Sequence, residues 1–294
     1  MVSARVGIVT ESVATVPPAD ARRLGIEIVP LPVRFGAEEH LDGVDLPVEE
    51  FYRRMLDDDA APTTAAPAPD AYADACRRAV EAGAGEVLVL TLSAGLSAAY
   101  EAARAGTASL GVPVTVVDTR TAAAAQAIQV RYCAELLASG CSLADTIAAR
   151  QQIAAHTGLY AVIPTLTYLR RGGRVGRLRG FAGERLGIKP LLALLDGEVR
   201  GSGVVRSVEG AFDRMVTLVR RAAEGAQALE LIVTHGASPA EAATLAERLS
   251  GLELRRPVDI VPFTPVMGAH TGPGVVGVGF GAFPPGVPLP EVAR

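Results

Sequence analysis

The 294-residue sequence predicts an α/β protein with two α/β domains, the first of which contains a mostly parallel sheet. In the first half, short aliphatic runs alternate with helical patterns, as they do in βαβ units. In the second half, an Asp-Gly pair between two apolar runs indicates a β-hairpin. The two halves differ in pattern, and no long linker separates them. We therefore predict closely packed domains over residues 1–152 and 153–294.

The first half of the chain contains four predicted strands, four predicted helices and a loop. The strands, rich in Val, Ile and Leu, are Val6–Val9, Ile26–Val33, Val87–Thr91 and Val114–Val117. The helices are Val48–Leu56, Asp70–Ala82, Ser97–Leu110 and Thr121–Ala138. Residues 57–69, rich in Pro, Thr and Ala, form the predicted loop. After Gly140, Ser142 and Asp145 have the spacing of a helix cap.

The second half contains a predicted hairpin among further strands and helices. A strand at Leu159–Val162 precedes a short helix that is closed by glycines. The hairpin joins Leu191–Leu195 to Val199–Arg206 through the turn Asp196–Gly197. The later elements are helices at Val208–Glu224 and Pro239–Ser250, and strands at Leu229–Thr234, Val258–Pro262 and Gly274–Phe280. Gly277 and Gly279 share one face of the last strand, so a helix or an acyl chain is expected to approach that face closely.

Composition and motifs argue against several classes of protein. A net charge of −4 disfavours a nucleic-acid-binding protein. Three cysteines without a CxxC pair and four isolated histidines disfavour a disulfide framework and a metal site. The sequence has neither a Walker A motif nor a dinucleotide fingerprint, so no nucleotide cofactor is expected. Without a signal-peptide pattern or a long apolar run, the sequence predicts a soluble cytoplasmic protein.

Ser93 is the first candidate site residue. It follows a strongly apolar strand and precedes a helix, and ligands bind at such strand ends in open α/β sheets. The nearby Ser97 has a simpler explanation as the N-cap of that helix. Ser93 lies four residues before the cap, in the expected crevice, where a ligand-binding role is the alternative to a purely structural one.

The segment around Ser93 also resembles the nucleophile elbow of serine hydrolases. In that alternative, Ser93 would act with Asp196 and with either His235 or His270. The elbow requires small residues around the serine because its backbone is strained. The β-branched Thr91 fits this requirement poorly, which disfavours the hydrolase alternative.

His270 and a group of arginines are further candidates. His270 begins a His-Thr-Gly-Pro-Gly sequence, which predicts a tight loop before the last strand. This histidine is either an exposed turn residue or part of a site that also uses backbone N–H groups. The arginines at positions 170, 171, 174, 177, 179 and 185 face only one acidic residue, Glu184. They form either a solvated surface or an anion site, because guanidinium groups suit phosphate and carboxylate.

In combination, these motifs resemble the DegV family of bacterial fatty-acid-binding proteins from end to end. In the first half the resemblance rests on Val9–Ser12, Asp42–Gly43, Pro62–Pro67 with Thr64, Ser93–Tyr100 and Val117–Thr119. In the second half it rests on Tyr168–Val175, Ile188–Pro190 with the single lysine Lys189, and His270–Gly274. The departures from the family pattern are Glu11 for Asp, and Ala65, Ala66 and Ala94 for polar residues.

The resemblance implies a long-chain fatty acid enclosed between the two domains, with no cofactor. It places Thr64 and Ser93 at the carboxylate of the acid. It also implies that the protein is not an enzyme and that it presents the acid to a separate ATP-using kinase subunit, which forms an acyl phosphate. At the mouth, where phosphoryl transfer takes place, it places Arg174, Arg206, His270 and Thr271. Transient contact with a membrane surface is compatible with this role.

Overall fold

The computed structural model describes residues 5–57, 61–174 and 188–292. The strands in these ranges are β1 (Val6–Glu11), β2 (Ile26–Val29), β3 (Pro32–Phe35), β4 (Glu38–Leu41), β5 (Thr63–Thr64), β6 (Glu86–Thr91), β7 (Val114–Asp118), β8 (Thr157–Val162), β9 (Lys189–Leu195), β10 (Glu198–Val205), β11 (Ala228–His235), β12 (Asp259–Pro262) and β13 (Val276–Phe283). The α-helices are α1 (Pro18–Leu24), α2 (Val48–Asp57), α3 (Pro69–Glu81), α4 (Ala99–Thr107), α5 (Ala123–Ala138), α6 (Leu143–Ala154), α7 (Thr167–Arg171), α8 (Val208–Ala222), α9 (Pro239–Leu249) and α10 (Pro265–Thr271).

These strands form two large sheets and one small sheet. The first large sheet has the order β2-β1-β6-β7, and all its strands are parallel. The second has the order β10-β9-β8-β13-β11-β12, and only its β11–β12 pair is parallel. The small antiparallel sheet has the order β4-β3-β5. The predicted α/β class, with a parallel sheet in the first domain, is confirmed.

Two local predictions are confirmed by backbone geometry. Asp196 and Gly197 both have positive φ, 52° and 81°, as a type I′ turn between β9 and β10 requires. The Ser142 hydroxyl accepts a hydrogen bond from the backbone N–H of Asp145 at 3.1 Å and thereby caps α6.

One predicted strand is divided in the structure. Residues 26–33 contain the whole of β2 and the beginning of β3, which belong to different sheets. Pro30 and Pro32 have no N–H to donate, so the parallel ladder of β2 cannot continue through them. The predicted single strand was therefore wrong. The chain leaves the first sheet here and enters the small sheet, which also contains Thr64 on β5.

The tight loop predicted over His270–Gly274 is confirmed only in part: residues 272–274 form the turn that leads into β13, but His270 and Thr271 lie in the last turn of α10. Pro265 occupies the first turn of this helix, where its missing N–H costs nothing. Gly268 lets the helix pack closely, since a Cβ at this position would lie 2.4 Å from Cε1 of Phe51. Close packing, more than a long amphipathic pattern, stabilises this seven-residue helix.

Helix α5 lies against both large sheets and is buried over most of its length, with fourteen of its sixteen residues inside the protein. Its first residues are alanines, which allow close approach to β13. A Cβ at Gly279 would lie 2.6 Å from the Cβ of Ala124, and one at Gly281 would lie 2.7 Å from Cγ2 of Ile128. The predicted close approach of a helix is therefore confirmed at Gly279, whereas a Cβ at Gly277 would lie 2.8 Å from the carbonyl oxygen of Tyr160 on the neighbouring strand β8.

An ion-pair network also joins α5 to the second sheet. The buried guanidinium of Arg131 contacts Glu230 on β11, Asp259 on β12 and Asp20 on α1, each at 2.7 Å. Such an arrangement compensates the loss of hydration of a buried charge only when several well-placed partners surround it. The two halves of the chain are thus connected through both apolar and ionic contacts.

Candidate ligand-binding site

A largely apolar cavity lies between the carboxyl edge of the parallel sheet and one face of the mixed sheet. It holds about 880 Å³ of space that no protein atom fills, part of which is open to solvent. Its apolar lining consists of Val13, Leu31, Ala65, Leu92, Leu96, Ala122, Leu159, Ala161, Ile163, Leu169, Leu192, Ala193, Leu194, Val199, Phe263, Val266 and Met267. Its polar lining consists of Thr64, Ser97, Arg174, His270 and Thr271.

The topology explains why these residues meet. Val13, Leu92 and Ala122 follow the parallel strands β1, β6 and β7, whose carboxyl ends share one edge of the sheet. On the mixed sheet, Leu159 of β8 pairs with Leu194 of β9. Both side chains therefore point to the same face as the cavity. The cavity is lined by both halves of the chain.

The polar lining contains a direct contact between two predicted site residues. The Thr64 hydroxyl and Nε2 of His270 are 2.8 Å apart, although the residues are 206 positions apart in the sequence. Thr271 follows His270, lines the same cavity, and donates its hydroxyl hydrogen to the carbonyl of Met267 at 2.9 Å. The small sheet thus brings Thr64 to the end of α10.

Arg174 approaches this group from the segment after α7. Its Nε donates to the carbonyl of Leu96 at 3.3 Å, and its guanidinium also donates to the carbonyl of Gly172 at 2.6 Å. Leu96 belongs to the turn that follows Ser93. The arginine therefore connects the Ser93 turn with the glycine turn of the second domain and adds a positive charge to the cavity wall.

Glycines allow the two second-half motifs to pack against each other. A Cβ at Gly172 would lie 2.2 Å from Nδ1 of His270, and a Cβ at Gly272 would lie 2.2 Å from the ring of Tyr168. A Cβ at Gly274 would likewise lie 2.7 Å from Pro164. These spacings explain why glycines flank α7 and α10 and show how the position of His270 depends on them.

Burial strongly changes the protonation of His270. Loss of hydration, with a smaller contribution from the charge of Arg174, lowers the pKa of the imidazole from 6.5 to about 4. The ring is therefore neutral at neutral pH. Its Nδ1 is buried and has no hydrogen-bond partner among the described atoms, so only Nε2, beside Thr64, is engaged.

Ser93 is buried next to the cavity, and its hydroxyl is directed at the second domain. Its Oγ donates to the carbonyl of Gly197 at 2.9 Å and accepts from the N–H of Gly95 at 3.1 Å. Its neighbours Leu92, Leu96 and Ser97 line the cavity directly. Ser97 is not the N-cap that the sequence predicted, because α4 begins at Ala99 and Ala98 occupies the N-cap position. The Ser97 hydroxyl does accept a hydrogen bond from the N–H of Ala99 at 3.2 Å.

The catalytic-triad alternative does not agree with this geometry. A nucleophilic serine would be hydrogen-bonded to a histidine that acts as its base. The described hydrogen bonds of Ser93 instead involve backbone groups, and His270 pairs with Thr64. Nδ1 of His235 accepts from the N–H of Ser238 at 3.2 Å, while Asp196 is part of the hairpin turn. The structure does not bring these residues together as a triad.

Arg206 and the other arginines of the predicted group are not placed at the cavity in the way that Arg174 is. Arg206 is exposed just after β10 and does not line the cavity as Arg174 does. Arg170 and Arg171 lie at the exposed end of α7. The remaining arginines of that predicted group, at positions 177, 179 and 185, lie outside the described residues.

Sequence reasoning missed a buried network beneath the Ser93 turn. The Glu11 carboxylate accepts hydrogen bonds from Tyr72 at 2.7 Å, from Gln126 at 2.8 Å and from the N–H of Leu92 at 3.1 Å. Burial raises the pKa of Glu11 to about 7, and these donors oppose that effect. The sequence identified Glu11 only as part of a family motif. It could not predict the hydrogen bonds of its carboxylate, because the partners come from three separate elements.

The described part of the chain has neither a metal-binding cluster nor a membrane-spanning helix. Across residues 5–57, 61–174 and 188–292, no three His, Cys, Asp or Glu side chains are grouped as a metal site. No helix within the same ranges combines the length and apolar character needed to span a bilayer.

The fold and the cavity together define a class of protein: two α/β domains around an apolar ligand cavity with one polar group of side chains. A family model described as uncharacterised proteins of the DegV family matches residues 5–282. The chain belongs to the DegV family. A DegV domain-containing protein of Streptomyces coelicolor is 35% identical over 280 residues, which cover 94% of this chain and 98% of the relative.

Known structures agree with this assignment. A DegV family protein from Thermus thermophilus, whose structure concerns fatty acid binding, is 30% identical, with a TM-score of 0.89 and coverage of 95% of this chain and 100% of the other. DegV from Bacillus subtilis, described as a fatty-acid-binding protein, is 25% identical, with a TM-score of 0.84 and the same coverage.

Proposed function

We propose that this protein binds one long-chain fatty acid non-covalently in the cytoplasm, in the cavity between domains 1–152 and 153–294. The observation that carries the proposal is the cavity itself, whose lining is apolar except at Thr64, Ser97, Arg174, His270 and Thr271. Fatty acid binding by the Thermus and Bacillus proteins supports it.

The energetics favour an acid with a long apolar chain. Burial gains about 0.8 kcal/mol for each methylene, and a chain of many methylenes exceeds the association cost of about 4–15 kcal/mol. A buried carboxylate without partners would cost several kcal/mol. The Arg174 charge and the hydroxyls of Thr64 and Ser93 offset that cost, so we assign the carboxylate to this end of the cavity.

We further propose that the protein presents the carboxylate to an ATP-using kinase subunit and has no catalytic group of its own. Arg174, His270 and Thr271 would face the transferring phosphoryl group, since guanidinium and imidazole groups suit developing negative charge. Arg206 is exposed outside the cavity, where a partner protein could reach it. Transient contact with a membrane surface would supply the acid.

Native mass spectrometry and lipid extraction of the purified protein test the binding proposal. Thr64→Ala combined with Ser93→Ala should lower affinity for palmitate at least tenfold, which corresponds to about 1.4 kcal/mol. Thr63→Ala is the matched control, because Thr63 is the exposed neighbour on β5. Unchanged palmitate affinity in the double variant would contradict the carboxylate assignment.

The presentation role is tested with a cognate kinase subunit and labelled ATP. Arg206→Ala should leave palmitate loading intact and lower acyl-phosphate formation at least about tenfold, as expected for loss of an exposed arginine that a partner protein contacts. Arg200→Ala is the control, since Arg200 lies on β10, the strand that Arg206 follows, and forms an ion pair with Glu198 two residues away. Equal loss of loading and of phosphorylation would assign Arg206 a structural role.

A further inference from the structure

The tip of the β9–β10 hairpin contacts the first domain at two points. Ser93 donates its hydroxyl hydrogen to the carbonyl of Gly197 at 2.9 Å, and Arg120 donates to the carbonyl of Asp196 at 3.0 Å. Ser93 follows β6 and Arg120 follows β7, whereas the hairpin belongs to the mixed sheet. We call these two hydrogen bonds the tip contact.

The tip contact is closely fitted, because glycines occupy both sides of it. A Cβ at Gly95 would lie 2.9 Å from the carbonyl oxygen of Gly197, and a Cβ at Gly197 would lie 2.8 Å from Oγ of Ser93. Any side chain at either position would force the two segments apart. The contact also borders the proposed ligand site, since Leu194 and Val199 on either side of the hairpin turn line the cavity.

Whether Ser93 can keep its hydrogen bond to Gly197 depends on what else its hydroxyl must bind. A serine hydroxyl has one hydrogen to donate. In this conformation it goes to Gly197, while Oγ accepts from the N–H of Gly95. An ionised carboxylate is only an acceptor, so its binding at Ser93 requires the same hydrogen. It would also bring a negative charge towards the Gly197 carbonyl oxygen. One hydrogen therefore has two competing acceptors.

We propose that binding of the fatty acid carboxylate releases the hairpin tip, so that the turn at residues 196–197 reports whether the cavity is loaded. This regulation rests on the proposed function. The hydrogen bond from Ser93 to Gly197 breaks and one from Ser93 to the carboxylate forms, without transfer of a proton. The bond from Arg120 to Asp196 then holds the turn alone. A partner that binds the released turn would distinguish loaded from lipid-free protein.

Hydrogen exchange followed by mass spectrometry tests the release. Delipidated full-length protein is compared with the same protein loaded with palmitate, and native mass spectra record the loading of each sample. Loading should speed exchange in peptides covering residues 194–200 by about threefold or more, as expected for loss of one hydrogen bond. Ligand binding normally slows exchange, so an increase confined to this turn is diagnostic. Bound palmitate with unchanged or slower exchange there overturns the inference.

Two variants separate the contact from the ligand site. Arg120→Ala loosens the tip without removing the Ser93 hydroxyl, so it should speed exchange of the turn in lipid-free protein. It should also leave palmitate affinity unchanged or raise it by up to about threefold, since less of the protein is held in the closed form. Ser93→Ala should speed the same exchange but lower the affinity.

Arg200→Ala, elsewhere on the hairpin, should change neither quantity. If Ser93→Ala speeds exchange and keeps full affinity, the serine is only a structural contact and the inference fails. If mass spectra of the wild-type protein show no bound palmitate under loading conditions, the proposed function fails first, and the inference fails with it.

Discussion

His270 provides a direct test of the cavity's electrostatics, because its burial makes protein stability depend on pH. Its pKa is lowered from 6.5 to about 4 by loss of hydration beside Arg174. Between these values the unfolded chain binds a proton that the folded chain does not. The stabilising contribution is therefore complete above about pH 6.5 and is lost progressively as the pH falls towards 4. Between about pH 7.5 and about pH 5, the loss amounts to roughly 2 kcal/mol.

Urea unfolding of the wild-type protein and of His270→Gln at these two pH values measures this contribution. Other groups titrate in both proteins, and Glu11, whose pKa is raised to about 7, acts with the opposite sign. These effects cancel when the two proteins are compared. We expect the wild-type protein to lose about 2 kcal/mol more than the variant on acidification. Equal losses would show that the imidazole is not held neutral by burial, and the description of this part of the site would be wrong.

Two further predictions concern packing and charge. Gly172→Ala should displace His270, lower palmitate affinity at least tenfold and destabilise the protein by about 1–3 kcal/mol, as measured by palmitate titration and denaturant unfolding. Gly111→Ala is the control: a Cβ there would have nothing within 4 Å, so affinity and stability should both stay unchanged. Normal palmitate affinity in Gly172→Ala would contradict the dependence of the ligand site on the position of His270. Arg131→Met should lower the free energy of unfolding by about 3–5 kcal/mol, because it leaves Glu230 buried beside fewer positive charges. A change below about 1 kcal/mol in urea unfolding would show that the Arg131 ion pairs do not stabilise the fold.

The elements that the sequence predicted well are those with strong local signals. The parallel strands are long aliphatic runs, and the Asp196–Gly197 turn needs two residues that tolerate positive φ. Helix α10 was missed because it is short and depends on the packing of Gly268 against Phe51. Residues 26–33 are divided between two strands because two prolines there cannot donate hydrogen bonds. This matters only once the neighbouring strands of the sheet are known.

The contacts of the candidate site were harder still to predict, because they join residues that lie far apart in the sequence. Thr64 was selected only by resemblance to a family and His270 by its glycine-rich neighbourhood, and no spacing rule predicts that residues 206 positions apart are in contact. The tertiary fold alone brings β5 to the end of α10. The hydrogen bond from Ser93 to Gly197 could not be predicted either, because the sequence does not indicate which donor a carbonyl oxygen in a turn will bind.

The position of α5 has a consequence for the chain as a folding unit. Although this helix precedes the predicted boundary at residue 152, it packs on β13 near the other end of the chain and carries Arg131 into the acidic pair on β11 and β12. A fragment ending at residue 152 would expose that helix face together with a guanidinium that keeps Asp20 but loses Glu230 and Asp259. The two halves should consequently melt in a single cooperative transition, and co-expressed halves should be recovered together or not at all.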